Sequence, residues 1–336
     1  MNSIPINFMP PENFSNVMWQ SYEPVVSLSL KKNLIAGIPD GVLALVAPII
    51  AYWGYATVFH IIDVYELAEK YRIHPSEEEE ARNKATLKDV VKDVVIQHII
   101  QTVVGGTFFL FDPPQTTGHE WMIMWNLRQK YVPLFVPDNV VWVGYMYGWT
   151  FLRICIAIGI IDTWQYWLHR IMHINKTLYR KFHSRHHRLY VPYAYGALYN
   201  DPVEGFLLDT LGTGIATIVT NLSHRESIIL FTFATLKTVD DHCGYRLPFD
   251  IFQIIFPNNS LYHDIHHQTW GVKNNFSQPF FTFWDKLNKT DYKFVNEYKS
   301  MQDHITLTKY REFLANKQRK PNKKPVNTEP EKKKDI

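Results

Sequence analysis

Cysteine is scarce in this chain: Cys155 and Cys243 are the only two in 336 residues. Two thiols cannot build a disulfide framework or a four-cysteine zinc site, so both are read as reduced. A dominant charge is missing as well. The 35 Lys and Arg nearly balance 32 Asp and Glu, leaving +3 spread along the chain. That is too little to gather nucleic acid, and no nucleic acid partner is expected. The one dense basic run, Lys317 to Lys334, reads as a solvated, disordered tail. There is no internal repeat and no GxGxxG fingerprint, so the chain is not expected to bind a nicotinamide itself. Residues Met1 to Trp19 carry Pro5, Pro10, Pro11 and Glu12 rather than a charged start and an apolar core. A cleavable signal peptide is therefore not expected.

Long apolar runs are what the sequence does have. Gly41 to Ile62 is 22 residues without a formal charge, bounded by Asp40 and Asp63. A bilayer core takes about 20 residues of helix, and a membrane helix tolerates a proline such as Pro48. Val94 to Phe111 is a second run of 18, at the short end for a span. The charged stretch between them, Glu66 to Lys92, reads as helical. Asn139 to Ile161 is a third run, interrupted by Arg153, and continues as IDTWQYWLHRIMH. It predicts one long helix that leaves the membrane carrying His169 and His173. Phe206 to Val239 is apolar but broken by NLSHRES, whose polar residues are costly in lipid. It predicts a helical hairpin that returns the chain to the side it came from. From about Gln253 the chain looks polar and loop-like, with a surface helix over Thr306 to Lys320. The aromatic content of 15%, with 10 Trp and 19 Tyr, suits a membrane interface.

Fifteen histidines are present, and five of them fall within HRIMHINKTLYRKFHSRHH. Three boxes stand out: HxxxH (His169, His173), HxxHH (His183, His186, His187) and HxxHH (His263, His266, His267). On a helix, positions i and i+3 or i+4 share a face, so each box can aim two imidazoles inward. The adjacent histidine of an HxxHH box points about 100° away and can reach a second metal or a neighbouring ligand. Eight imidazoles are too many for one ion but fit two. Imidazole suits Zn, Cu, Fe and Ni alike. A polar metal cluster beside apolar spans suggests work on a lipid, and activating an alkyl C–H bond needs redox chemistry that zinc lacks. Iron with O2 supplies it. The isolated His60, His74, His98, His119, His224 and His304 read as surface or satisfied core residues.

These boxes resemble those of the membrane fatty acid hydroxylase / sterol desaturase superfamily, over roughly residues 41–293. Within it, the chain is similar to the fungal sphinganine C4-hydroxylases along DGVLALVAPIIAYW, AEKYRIHPSEE, IDTWQYWLHR, NKTLYRKFHSRHH, VPYAYGALYNDPVEGFLLDTLGTGIA, TVDDHCGY and YHDIHHQTWG. The resemblance implies an all-α integral membrane protein with a cytosolic helical cap holding a dimetal site. Its divisions would be an N-terminal segment (1–40), membrane helices and loops (41–161), a catalytic region (162–300) with the hairpin 206–239, and a C-terminal helix and basic tail (301–336). It implies C4 hydroxylation of a sphingoid base, free or in ceramide, with two Fe ions, O2 and electrons from NADPH through a cytochrome b5 partner and its reductase. It also implies an endoplasmic reticulum address with the metal site and C-terminus cytosolic. By position, the eight box histidines match ligands, and His242 in DDHCGY matches a further histidine near the metal. No catalytic group beyond the ligands is expected.

Where many sterol-acting relatives have HPxE, this chain has Asp201, Pro202, Val203, Glu204. That departure weighs against a sterol and leaves Asp201 either a ligand or an orienter of a histidine. Asp240, Asp241 and Asp264 are candidates to accept from imidazole N–H groups. Trp164, Tyr166, Trp167, Tyr193, Tyr195 and Tyr199 are candidates to line an alkyl channel, or else pack at the lipid interface. Lys333, Lys334, Asp335 and Ile336 form a dilysine retrieval pattern, and Asn13 and Asn221 begin glycosylation sequons. The ligands do not separate a hydroxylase from a desaturase. A sterol C-methyl oxidase or desaturase of the superfamily is one alternative; a non-catalytic membrane metal carrier is another.

Overall fold

The computed structural model describes residues 9–319. The basic tail beyond them, with its dilysine pattern, lies outside the described residues. Among the described residues the protein is mostly helical, and the sheet is one short antiparallel pairing of Ser29–Leu30 with Thr116–Thr117. Among the described residues four helices are long and apolar enough to cross a membrane: α1 (Asp40–Val64), α2 (Leu87–Phe111), α3 (Asp138–Ile174) and α4 (Pro202–Thr220). Only 11% to 33% of their most apolar stretches is buried inside the protein. Residues such as Ile50, Val103, Phe108, Phe151 and Ile218 face outward. An apolar outer surface of this kind suits lipid, not water.

The second span is longer than its apolar run. Thr86 and Asp89 form a reciprocal capping box that starts the helix at Leu87, satisfying N–H groups that the first turn leaves free. The charged stretch before it is not one helix. It breaks into a turn at Glu69–Tyr71 and a short helix at Ser76–Arg82. Pro75 disfavours helical backbone at His74, which separates the two. The third span runs unbroken for 37 residues, with one wide π-helical turn at Gly144–Gly148.

α4 and α5 (His224–Asp241) are joined by a tight turn. Asn221 takes a left-handed backbone (φ 50°), and Ser223 with Glu226 caps the start of α5. Arg153 of α3 reaches this turn, pairing with Glu226 and the carbonyl of Asn221. Its charge, which interrupted the third run, is thereby neutralised. α5 packs along α1 and α4 along α3.

Beyond Gln253 the chain is less loop-like than its polarity suggests. Asp250 caps a helix at Ile251–Ile255, and Asn259 accepts from Tyr262 N to start α6 (Ser260–His267). The same residues that mark turns also begin helices. The final helix α7 (Val295–Arg319) starts well before Thr306. One core joins Tyr52, Ala56 and Phe59 of α1, Val90 and Val94 of α2, and Leu189, Leu198, Tyr199 and Tyr245 of the cap. A second joins Ile158 and Ile161 of α3 to Ala216, Leu230, Ala234 and Phe280. These cores seat the histidine segments on one end of the helices.

Candidate metal centre

Nine histidines from four segments converge in two adjacent groups. His169, His173, His183, His187 and His266 form one; His186, His242, His263 and His267 form the other. Within each group the ligand atoms lie within 4.8 Å of one another. The partition follows the boxes. In both HxxHH boxes the outer pair, i and i+4, serves one group and the histidine at i+3 serves the other. The second box sits in a 3-10 segment, His183–Arg188, and the third in the α-helix α6. Each HxxHH box therefore straddles the two groups, whereas His169 and His173 both belong to the first. Rings of different groups nearly touch: the centroids of His187 and His267 are 5.0 Å apart.

Backbone carbonyls fix the imidazoles. Nδ1 donates to Phe276 O in His169 (2.8 Å), Tyr199 O in His186 (3.2 Å), Thr238 O in His242 (2.8 Å), Asn274 O in His266 (2.7 Å) and Leu189 O in His267 (2.7 Å). A proton on Nδ1 leaves a bare lone pair on Nε2 of the neutral ring. His183 Nδ1 meets the carboxylate of Glu204, which is itself buried. Nε2 of His169 and of His183 then face each other at 3.0 Å with no proton between them. Other Nε2–Nε2 distances are 3.1 Å (His169–His173), 3.0 Å (His183–His187), 3.0 Å (His242–His263) and 3.1 Å (His263–His267), each with one ring whose Nδ1 is not held by a carbonyl or carboxylate. Converging lone pairs repel unless a cation sits among them. Two nitrogens about 2.1 Å from one ion and at right angles are about 3.0 Å apart, so the spacing fits a metal in each group.

Burial supports the same chemistry. It pushes the His186 imidazole down to about 4 and His266 to about 3, and carries His187, His263 and His267 well below the usual value. At neutral pH these rings are uncharged, as a metal ligand requires.

Residues 154–290 match the fatty acid hydroxylase family. The chain is 56% identical to the sphingolipid C4-hydroxylase SUR2 of Saccharomyces cerevisiae, over 94% of this chain and 90% of that protein. It is 44% identical to sphinganine C4-monooxygenase 1 of Arabidopsis thaliana, over 74% of this chain and 87% of the relative. It is 41% identical to the very-long-chain aldehyde decarbonylase GL1-9 of Oryza sativa subsp. indica, over 74% and 88%. The chain belongs to the fatty acid hydroxylase family. No solved structure matches it.

Some sequence expectations for this fatty acid hydroxylase are corrected. Asp201 touches no histidine: it caps α4 by accepting from Val203 N (3.0 Å) and faces Arg185. The carboxylate that holds a ring is Glu204, three residues on, to which the sequence reading gave no role. Its signal was the last position of the NDPVE stretch. Asp240, Asp241 and Asp264 do not receive the ligand N–H groups. Asp241 pairs with Lys237, and Asp264 with His74 and Tyr298 (2.7 Å). Backbone carbonyls take their place, and no side-chain pattern announces a carbonyl. Of the isolated histidines none joins either group. His74 is a satisfied core residue between Glu78 and Asp264, and His224 pairs with Asp112.

An apolar cavity of about 440 Å³ runs among α1, α2, α4 and α5, within the size range of small-molecule sites. Ala44, Leu45, Pro48, Phe109, Ile161 and Phe231 are among its walls. A small cavity against His183, His186, His242 and His263 adjoins it, and Gln165, Asp209, Thr238 and Pro279 belong to both walls. None of Trp164, Tyr166, Trp167, Tyr193, Tyr195 and Tyr199 lines the large cavity. Their rings and polar ends are used in packing: Trp164 Nε1 donates to Leu207 O (2.8 Å), and Tyr199 lies in the core. The walls of the large cavity are instead small, aliphatic and phenylalanine side chains of the membrane helices, with a few polar groups among them.

Proposed function

We propose that this protein hydroxylates a sphingoid base at C4, with the nine histidines as ligands of two iron ions. The observation that carries this reading is the contact between the two histidine groups and an apolar cavity within the membrane helices. A metal centre alone fits many activities; one that opens onto an alkyl-sized cavity fits oxidation of a lipid chain. The relatives named for C4 hydroxylation, matched over most of their length, support the same substrate class.

Bound iron supplies the activation of O2, for which electrons come from NADPH through a cytochrome b5-type donor. The chain's own part is placement. His169, His173, His183, His187 and His266 would hold one ion, and His186, His242, His263 and His267 the other. The carbonyls of Phe276, Tyr199, Thr238, Asn274 and Leu189 keep each Nε2 aimed inward. Glu204 holds His183. The apolar wall from Ala44 to Phe231 takes the alkyl chain and keeps water from the reacting carbon. The proposed setting is the endoplasmic reticulum membrane, with the histidine cap and the C-terminus on the cytosolic side.

The test is mass spectrometry of long-chain bases in cells with and without this chain, together with iron analysis of the purified enzyme. Gain of 4-hydroxylated base and about two iron ions per chain are the expected results. A chain that alters methyl sterols or aldehydes and leaves the bases unchanged would overturn the substrate. Active enzyme free of iron would overturn the metal.

A further inference from the structure

The junction between the large cavity and the histidine groups holds a carboxylate with nothing to balance it. Asp209 lies in a π-helical turn of α4, Phe206–Leu211, and such turns place side chains where a regular helix cannot. The turn is pinned from α3. Trp164 donates to Leu207 O, and Gly212 lies so close beneath the Trp164 ring that an added Cβ would sit 2.6 Å from Cδ1. Gln165 is one helical turn before His169, and its Nε2 donates to Asp209 Oδ1 (3.3 Å). Asp209 Oδ2 is buried and has no partner within the protein. No Lys, Arg or His pairs with Asp209 among the described residues. An ionisable group at such depth is expensive unless a ligand satisfies it.

The substrate class of the proposed function, on which this inference rests, carries the missing donors. A sphingoid base has hydroxyl and amine hydrogens on the carbons immediately before C4, and an alkyl chain after it. We propose that Asp209, oriented by Gln165, binds those polar hydrogens and so fixes which carbon reaches the histidine groups. The tail then lies in the apolar cavity. The aspartate acts as a specificity determinant: it sets the register of an otherwise featureless chain.

The test uses the full chain in membranes with its electron donors. Sphinganine is offered in competition with 3-deoxysphinganine and, separately, with 1-deoxysphinganine and an N-acylated base. Asp209→Leu is expected to spread the new hydroxyl onto carbons beyond C4. It is also expected to reduce, by at least about tenfold, the preference for sphinganine over whichever analogue lacks the bound group. The analogue whose disadvantage disappears identifies the donor as the 3-hydroxyl, the 1-hydroxyl or the amine. Gln165→Leu should do the same more weakly. Equal slowing of all substrates with hydroxylation still confined to C4 overturns the proposal. If Asp209→Leu does not accumulate, the near-isosteric Asp209→Asn is read by the same two criteria. Wild-type enzyme that leaves sphinganine untouched defeats the functional reading itself, and shows this before any substitution is made.

Discussion

In the histidine cap, five imidazole Nδ1 atoms end on backbone carbonyls and a sixth on Glu204. In the adjoining cavity, His98 Nε2, Asp209 Oδ2 and Thr210 Oγ1 are buried without partners in the protein. Six ring orientations in the cap are set by the fold before anything binds, while His187 Nδ1 and Glu204 Oε2 stay without partners in the protein. The cavity leaves its few polar atoms open between aliphatic walls. The difference separates two tasks. Rings held by carbonyls keep a fixed set of Nε2 atoms for metal, whereas open polar atoms in an apolar sleeve await a ligand. On the proposed function, reactivity resides in the cap and selectivity in the spans, and substitutions in the two regions should fail in different ways.

The largest effect is expected in the cap. His186→Ala removes one of four nitrogens from the second group and should lower hydroxylation by more than about 100-fold. The chain should still enter the membrane, since His186 lies outside the four spans. Iron content and product formation, measured on the same preparation, check this. Substantial activity in the variant would show that His186 is no essential ligand. Glu204→Gln keeps the shape but removes the charge behind His183. The expected loss is about 10- to 100-fold in activity or metal affinity, read by turnover and by metal retention against a chelator.

A cavity substitution should break the other half of the comparison. Ala44→Trp fills the wall while leaving every histidine in place. Iron content should be unchanged, while preference moves toward shorter chains by about tenfold. Competition between bases of different length measures it. A loss of iron in this variant would mean that the two regions are not separable.

The smallest effect concerns the support beneath the cap. Burial disfavours a charge on His74, but Asp264 and Glu78 outweigh it and raise the ring to about 10. The folded-state value lies above the unfolded one of about 6.5. The contribution is therefore complete below pH 6.5 and fades as pH rises from there through 10. Melting of the purified protein from pH 6 to 10 should show wild type losing its advantage over His74→Gln, at about 2–4 °C for each kcal/mol. An advantage that grows with pH would contradict the charged clamp.

Much of this was legible in the sequence. The apolar runs announce the spans, because a bilayer demands about 20 uncharged residues of helix. The spacing of the three boxes announces paired imidazoles, and the NLSHRES break announces the turn between α4 and α5. Box spacing did not say which ring belongs to which group. That depends on how the 3-10 segment at His183–Arg188 and the helix α6 meet from opposite sides. Nor did it expose the carbonyls of Phe276, Tyr199 and Leu189, since every residue has a carbonyl and only the fold selects which ones face a ring.

The sequence by itself determined the membrane helices and the residue types at the metal centre, because hydropathy and local periodicity are properties of neighbouring positions. Only the tertiary structure decided the division into two groups, the role of Glu204 in place of Asp201, and the cavity that ends at Asp209. Each of these is a contact between segments far apart in the chain, where distance in space bears no fixed relation to distance in sequence.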